Sequence, residues 1–382
     1  MAYFDNAATT YPKPAEVYDY MDQFYRECGA SVGRGQYALA QSIGKMVADT
    51  RELIKSLLHC PAKKVVFTPT ATIALNLIIQ GIIKKGGRRN IYISPFEHNA
   101  VTRTLNHFES KSEVKVQQLA VSRNMEYDLE RIKYQFDETP PDFVIISHAS
   151  NVCGLVAPVE KIFLLAKSYD AVTLVDMAQT AGLVDCNVGL DCFDFAVFAG
   201  HKTLYGPTGI SGFVMKSDFV LPPIIFGGTG YDSANQDMPL SIPERFEMGT
   251  QNTSGLAGLY AALQWNQKQT ISLLWEKEQC NRAKLLQLLE NYWFIKIIGY
   301  NPELKYVGIV SCIIDGISSD SAASIFDRCG IAVRTGLQCA PLAHRFLGTF
   351  PAGTIRMSVG YFTSDDDFQQ LQAALDYIED NI

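Results

Sequence analysis

The feature that most constrains this chain is a rhythm in its middle. Short apolar runs of strand length alternate with segments of helical periodicity. Candidate strands fall at residues 65–68, 90–94, 114–119, 143–148, 172–175, 193–198 and 212–216. Candidate helices include 72–83, 101–109 and 159–168, the last preceded by Pro158, a residue type suited to a first helical position. Such alternation predicts an α/β fold, a mostly parallel seven-stranded sheet with helices on both faces. The strands read VVF, FVIIS and VTLV, near-continuous apolar runs suited to burial on both sides.

After about Gly249 the rhythm changes. A long amphipathic helix over 272–292 precedes a strand at 308–314, a helix at 319–329, an extended segment at 356–358 and a helix at 364–378. Ser364 is suited to cap that last helix, and three Asp follow it in the first turn. A chain of 382 residues has room for about two domains. We expect a large domain over 14–252 and a smaller α+β domain made of 1–13 with 253–382.

Composition excludes several classes. The net charge of −7 gives no support for binding to nucleic acid or a membrane surface. The largest basic cluster, Lys84-Lys85 with Arg88-Arg89, is short. No apolar run reaches the roughly 18 residues that span a bilayer, and the first residues lack the pattern of a signal peptide. The nine cysteines are odd in number and include no Cys-x-x-Cys, which fits a reducing cytoplasm and shows no zinc-type spacing. No metal is expected.

Two residues carry chemistry. Asp176 ends the apolar strand in VDMAQ, and Lys202 follows the next strand in FAGHKTLYGPTG. Both therefore fall at carboxyl ends of strands, where open α/β sheets bind ligands. A pyridoxal 5′-phosphate (PLP) site needs this pair: a lysine to form the imine, and a carboxylate to keep the pyridine nitrogen protonated so the ring can act as an electron sink. Taken singly, each residue has an ordinary reading as a turn cap or a surface lysine. With His201 before the lysine and a Gly-Pro-Thr-Gly turn after it, the combination is far more specific. The segment Thr70-Ala71-Thr72 lies where a strand gives way to a helix, a place whose free N–H groups suit a phosphate.

Further motifs follow one another along nearly the whole chain: FDNAATT (4–10), GRG (33–35), TPTATIALN (68–76), EHNA (97–100), SHASNVCG (147–154), VDMAQTAG (175–182), GHKTLYGPTG (200–209), GGTG (227–230), EMGTQNT (247–253), RTGLQCAPLAH (334–344) and GTIRMSVGYF (353–362). In this set the chain resembles the fold-type I, class V aminotransferase-like proteins, and among them the cysteine desulfurase/selenocysteine lyase group. The resemblance implies a PLP enzyme that converts L-cysteine to L-alanine and carries the sulfur as a persulfide on Cys339, with selenocysteine a further substrate. It implies Lys202 as the Schiff-base lysine, Asp176 at the ring nitrogen and His98 stacked on the ring. Ala71, Thr72 and His201 are then phosphate ligands. Asn151 and Gln179 lie near the substrate carboxylate and the ring hydroxyl, and Arg356 grips that carboxylate. It also implies a homodimer with shared active sites, in which Thr250 reaches the neighbouring chain's phosphate, and a protein that accepts the sulfur.

Several positions depart from the family pattern. Ala199 lacks a hydroxyl that relatives often carry, Ile73 replaces a frequent Glu, and Met177 a small residue. Gln338 precedes Cys339 where relatives often have His, and a glutamine cannot lower a thiol's pKa as an imidazole can. His344 could take that role if the loop folds back. A C–S lyase or an aminotransferase of the same fold needs Lys202 but not Cys339. A third reading is a non-catalytic member that acts as a sulfur carrier or interaction protein, which the intact Asp176, Lys202 and Arg356 set argues against.

Overall fold

The computed structural model of the chain describes all residues except 31, 33, 34, 36, 87, 88, 232, 233 and 382. Gly33 and Arg34 of the GRG motif, and Arg88 of the basic cluster, thus lie outside the described residues. The chain opens with β1 (Ala2–Tyr3), α1 (Ala15–Cys28) and α2 (Ala38–Leu57). There follow β2 (Lys64–Thr68), α3 (Ala71–Lys84), β3 (Arg89–Ile93), α4 (Asn99–Glu109), β4 (Val114–Gln118), α5 (Leu129–Glu138), β5 (Phe143–Ser147), α6 (Val159–Lys167), β6 (Val172–Asp176), β7 (Phe195–Ala199) and β8 (Ser211–Met215). The strands β2 to β8 form one sheet in the order β2-β8-β7-β6-β5-β3-β4. They are the seven that the apolar runs predict. β3 to β7 pair in parallel, whereas β8 runs antiparallel to both β7 and β2.

Alternation with period two divides each central strand between two cores. Val144, Ile146, Ala196 and Phe198 point into the core shared with α2, α6 and α7 (Thr253–Gln269). Phe143, Ile145, Phe195 and Val197 point into the opposite one, beneath α3 and α4. Every residue of β5, β7 and β8 is buried, which explains their unbroken apolar sequence. The helix α7 packs on both α1 and α2.

The remainder comprises α8 (Ile271–Glu290), β9 (Ile295–Ile298), β10 (Ile309–Ile314), α9 (Ser319–Arg328), β11 (Ile331–Ala332), β12 (Arg334–Gly336), α10 (Pro341–Leu347), β13 (Thr354–Ser358) and α11 (Asp365–Glu379). A second, antiparallel sheet has the order β12-β13-β10-β9. α11 begins with a capping box: Ser364 Oγ accepts from Asp367 N, and the Asp367 carboxylate accepts from Ser364 N at 2.8 Å. β1 pairs in parallel with β11, so the start of the chain is built into the neighbourhood of its last strands. Among the described residues, no helix is long and apolar enough to cross a membrane.

Glu247 of the EMGTQNT motif holds the segment after β8 against β2. Its carboxylate accepts both Nη1 and Nη2 of Arg51 at 2.8 and 2.7 Å, and Phe67 N at 2.7 Å. Arg51 also lies over the Phe67 ring, 4.6 Å from its centroid. Removing one partner of a buried pair strands the other charge, at a cost of about 3–5 kcal/mol. Glu247→Ala should lower the urea midpoint accordingly; a midpoint equal to the parent's would show the pair to be dispensable.

Candidate active site

A cleft of about 260 Å³ opens at the carboxyl ends of the central strands. Of the residues singled out in the sequence, Ala71, Thr72, His98, Asn151, Asp176, Gln179, His201 and Lys202 line it. Arg356 and Cys339 are not in its lining but lie within electrostatic range of Lys202. Thr250 is exposed and lines a neighbouring groove with Ile73 and Phe246, so it is not brought to the cleft of its own chain.

The amino end of α3 forms one wall. Thr70 caps it, its Oγ1 accepting from Ile73 N at 3.2 Å, while Ala74 N donates to Thr70 O at 3.2 Å. The N–H groups of Ala71 and Thr72 are left without an intrahelical acceptor, as first-turn donors are, and the helix dipole favours an anion there. Opposite, the Nδ1 of His201 is buried with no partner. Its backbone is pinned: His201 O accepts from Thr10 N at 3.2 Å and from Lys13 Nζ at 2.7 Å. An orphaned buried nitrogen and two free amides around one cleft suit an anionic ligand.

Asp176 faces this space from the end of β6, and Lys202 from the turn that follows β7. Burial lowers the Lys202 amine to about 8, with the Asp176 carboxylate opposing that shift and Arg356 adding to it. Such an amine keeps an appreciable neutral, nucleophilic fraction near pH 7 to 8. Burial raises the pKa of Asp176, against the Ala178 N–H that its Oδ1 accepts at 2.9 Å and the charge of Lys202. A buried acid so placed is stabilised as the carboxylate by any cation brought to it.

His98 caps α4: its Nδ1 accepts from Ala100 N at 3.0 Å, which assigns the proton to Nε2. Burial, helped by Lys202, lowers its pKa to about 4, so the ring is neutral. Gln179 Nε2 donates to Ala7 O at 2.9 Å, which fixes the FDNAATT loop beside the cleft. Arg356 is buried. Its Nη1 donates to Asn151 O at 2.9 Å and its Nη2 to Asp5 Oδ1 at 2.8 Å, while Nε has no partner.

Cys339 is exposed, on a turn between β12 and α10. Its φ of 57° and that of Gln338, 38°, lie in the left-handed region, which costs a residue with a side chain roughly 1–2 kcal/mol. The turn is tied down from both sides: Asn99 N donates to Cys339 O at 2.7 Å and Asn151 Nδ2 to Gln338 O at 2.6 Å. The expectation that His344 could serve the thiol is not met. His344 is buried, with Nε2 at 2.8 Å from Gln338 Oε1 and Nδ1 at 2.8 Å from Thr349 Oγ1, so both nitrogens are occupied.

Sequence reading named no role for Asp5, Lys13 or Glu97. Glu97 is buried and accepts from Ser94 Oγ, Ser147 N and Ser147 Oγ at 2.6, 2.7 and 2.8 Å, anchoring the loop that carries His98. Asp5 and Glu97 lie inside the FDNAATT and EHNA motifs, the only signal that could have found them.

The family described as Aminotransferase class-V matches residues 2–371. A cysteine desulfurase of Escherichia coli O157:H7 is 31% identical over 99% of this chain and 93% of its own length. The apo structure of the Thermococcus onnurineus NA1 cysteine desulfurase superposes with a TM-score of 0.90 at 27% identity, covering 100% of this chain and 95% of that one. An Escherichia coli cysteine desulfurase in its S-sulfonic acid form gives 0.84 at 26% identity, with coverage of 100% and 95%.

Four imidazoles, of His98, His148, His201 and His344, are each held at about 4, with burial the leading cause. Unfolded histidine titrates near ~6.5. The unfolded chain thus binds protons that the folded one refuses, and this share of stability is full above ~6.5 and lost as pH falls towards ~4. Histidine side-chain NMR should show all four neutral at pH 6; a midpoint near ~6.5 for any of them would contradict its burial.

Proposed function

This chain belongs to the aminotransferase class-V family, and on that footing we propose that it is a PLP-dependent cysteine desulfurase. The observation that carries the reading is a single cleft in which a strand-end lysine faces a buried carboxylate, with a fixed, exposed thiol in electrostatic range of that lysine. Bound PLP supplies an electron sink that acidifies the substrate's Cα–H and loosens its bond to sulfur.

The residues present fit that group. Lys202 would hold it covalently and Asp176 would hold the proton on the ring nitrogen. The N–H groups of Ala71 and Thr72 and the orphaned His201 Nδ1 would take the phosphate, with Thr72's hydroxyl beside them. His98 would lie against the ring and Gln179 beside its hydroxyl. Arg356, steadied by Asp5, would grip the substrate carboxylate with Asn151. Lys202, its amine lowered by burial to about 8, would move the proton at Cα.

Cys339 then attacks the substrate Sγ as a thiolate. An S–S bond forms, the substrate Cβ–Sγ bond breaks, and its electron pair stays with the carbon skeleton, which gains a proton and leaves as alanine. Enzyme thiol plus L-cysteine thus become enzyme persulfide plus L-alanine, with no outside oxidant. Selenocysteine has the same skeleton and fits the same steps. The exposed Cys339 would pass its sulfur to an acceptor protein in the cytoplasm. We also propose the domain division at 14–252 and a homodimer in which Thr250, exposed in its own chain, reaches the partner's phosphate.

Feeding L-cysteine to the PLP-loaded enzyme should give alanine and a persulfide on Cys339; pyruvate with ammonia would make it a C–S lyase. Cys339→Ala should keep bound PLP and lose the persulfide. Arg356→Ala should weaken cysteine binding at least about tenfold, since a charge-assisted contact is worth about 1.5–3 kcal/mol. An unchanged affinity would remove Arg356 from substrate binding. Subunits carrying Lys202→Ala mixed with subunits carrying Thr250→Val should regain activity at the one intact site of each heterodimer. A mixture no better than the Thr250→Val homodimer would confine Thr250 to its own chain.

A further inference from the structure

We infer that Gln338 is a positioning residue for sulfur transfer: its buried amide, locked between His344 and strand β13, fixes the left-handed turn that presents Cys339 to the cleft. The step it serves is the one proposed above, but the geometry stands on its own. Two successive residues with side chains, Gln338 and Cys339, hold positive φ, and such pairs persist only where surroundings over-determine them.

The Gln338 side chain provides that restraint. Its Oε1 accepts from His344 Nε2 at 2.8 Å. Its Nε2 donates to Thr354 O at 2.9 Å and, more weakly, to Arg334 O at 3.5 Å. Because Nε2 is committed to carbonyl oxygens, the amide cannot flip, and Oε1 dictates that His344 carries its proton on Nε2. The amide points inward, away from solvent, and exchanges no proton with the neighbouring thiol.

The clamp links the turn to the residues that matter for catalysis. Thr354 lies two positions before Arg356 on β13. Asn151 ties Gln338 O with its side chain and Arg356 with its backbone oxygen. Asn99, whose N–H takes Cys339 O, follows His98 directly. Thiol, carboxylate grip and ring-stacking histidine are therefore held in one frame. A neutral amide can offer acceptor and donors together without titrating, which an imidazole at this position could not do at all pH values.

The test uses PLP-loaded enzyme carrying Gln338→Leu or Gln338→Glu, with cofactor absorbance confirming a loaded fold. Displacing the nucleophile by about 1 Å should lower kcat on the order of a hundredfold, with KM little changed. Without substrate, the rate at which iodoacetamide alkylates Cys339 should change about tenfold in Gln338→Leu, a difference of about 1.4 kcal/mol in activation free energy. In Gln338→Glu only the protonated acid can donate to Thr354 O, so kcat relative to the parent should rise as pH falls, while the Leu ratio stays flat. Parent-like kcat and alkylation in Gln338→Leu, a loss confined to KM, or a flat Gln338→Glu ratio would each overturn the inference. If the parent enzyme itself releases no alanine, the desulfurase reading fails, and alkylation still decides the role of Gln338.

Discussion

Two guanidinium groups converge on one carboxylate, and much of the site depends on that meeting. Asp5 Oδ2 accepts from Arg334 and Oδ1 from Arg356, each at 2.8 Å. The partners stand 329 and 351 positions away in sequence. Burying a cation without a partner is costly, so Arg356 can occupy the interior only because the first residues of the chain return to it. The pairing of β1 with β11 and the bond of Asn6 to Ser358 O hold that return in place. The same loop reaches the cleft through Ala7 and Gln179. A short N-terminal segment thus aligns Arg356 with Lys202 at the carboxyl end of the central sheet.

The inner part of the central sheet was legible because β5, β7 and β8 are buried on both faces, and a strand in that state writes itself as an apolar run bounded by polar residues. Elements with other environments were not. α7 is buried on nearly every side, so its apolar residues show no stripe and no helical period emerges. α1 exposes most of its length, with Val17 and Phe24 buried and Tyr20 and Cys28 half-buried against the same core. The cleft residues were legible through motifs, since a motif records chemistry rather than burial. What no local pattern could disclose is pairing over distance: Asp5 with Arg356, and Glu97 with Ser147; even Gln338 and His344, six positions apart, gave no sign of their bond. In each case the residue types were visible and their partners were not.

The neighbours of Cys339 make the same point from the other side. The sequence places a glutamine where an imidazole would help the thiol, and a histidine five residues on invites the thought of a substitute. Packing sends that histidine into the interior, where it bonds to the glutamine instead. Burial, not spacing, decided which group met which.

One topological detail carries a kinetic consequence. β8 turns back antiparallel beside β7, so the connection from Ala199 to Ser211 is a tight return with no crossover helix. Lys202 sits on that return, and its backbone oxygen and that of His201 are bonded to Thr10. If Lys202 holds the cofactor as proposed, its amine, once displaced by an incoming substrate, could not drift away from such a seat. Its recapture would be unimolecular, at a local concentration far above anything free lysine could reach in solution. Closing each cycle of the proposed reaction would therefore need no second encounter once the site is assembled.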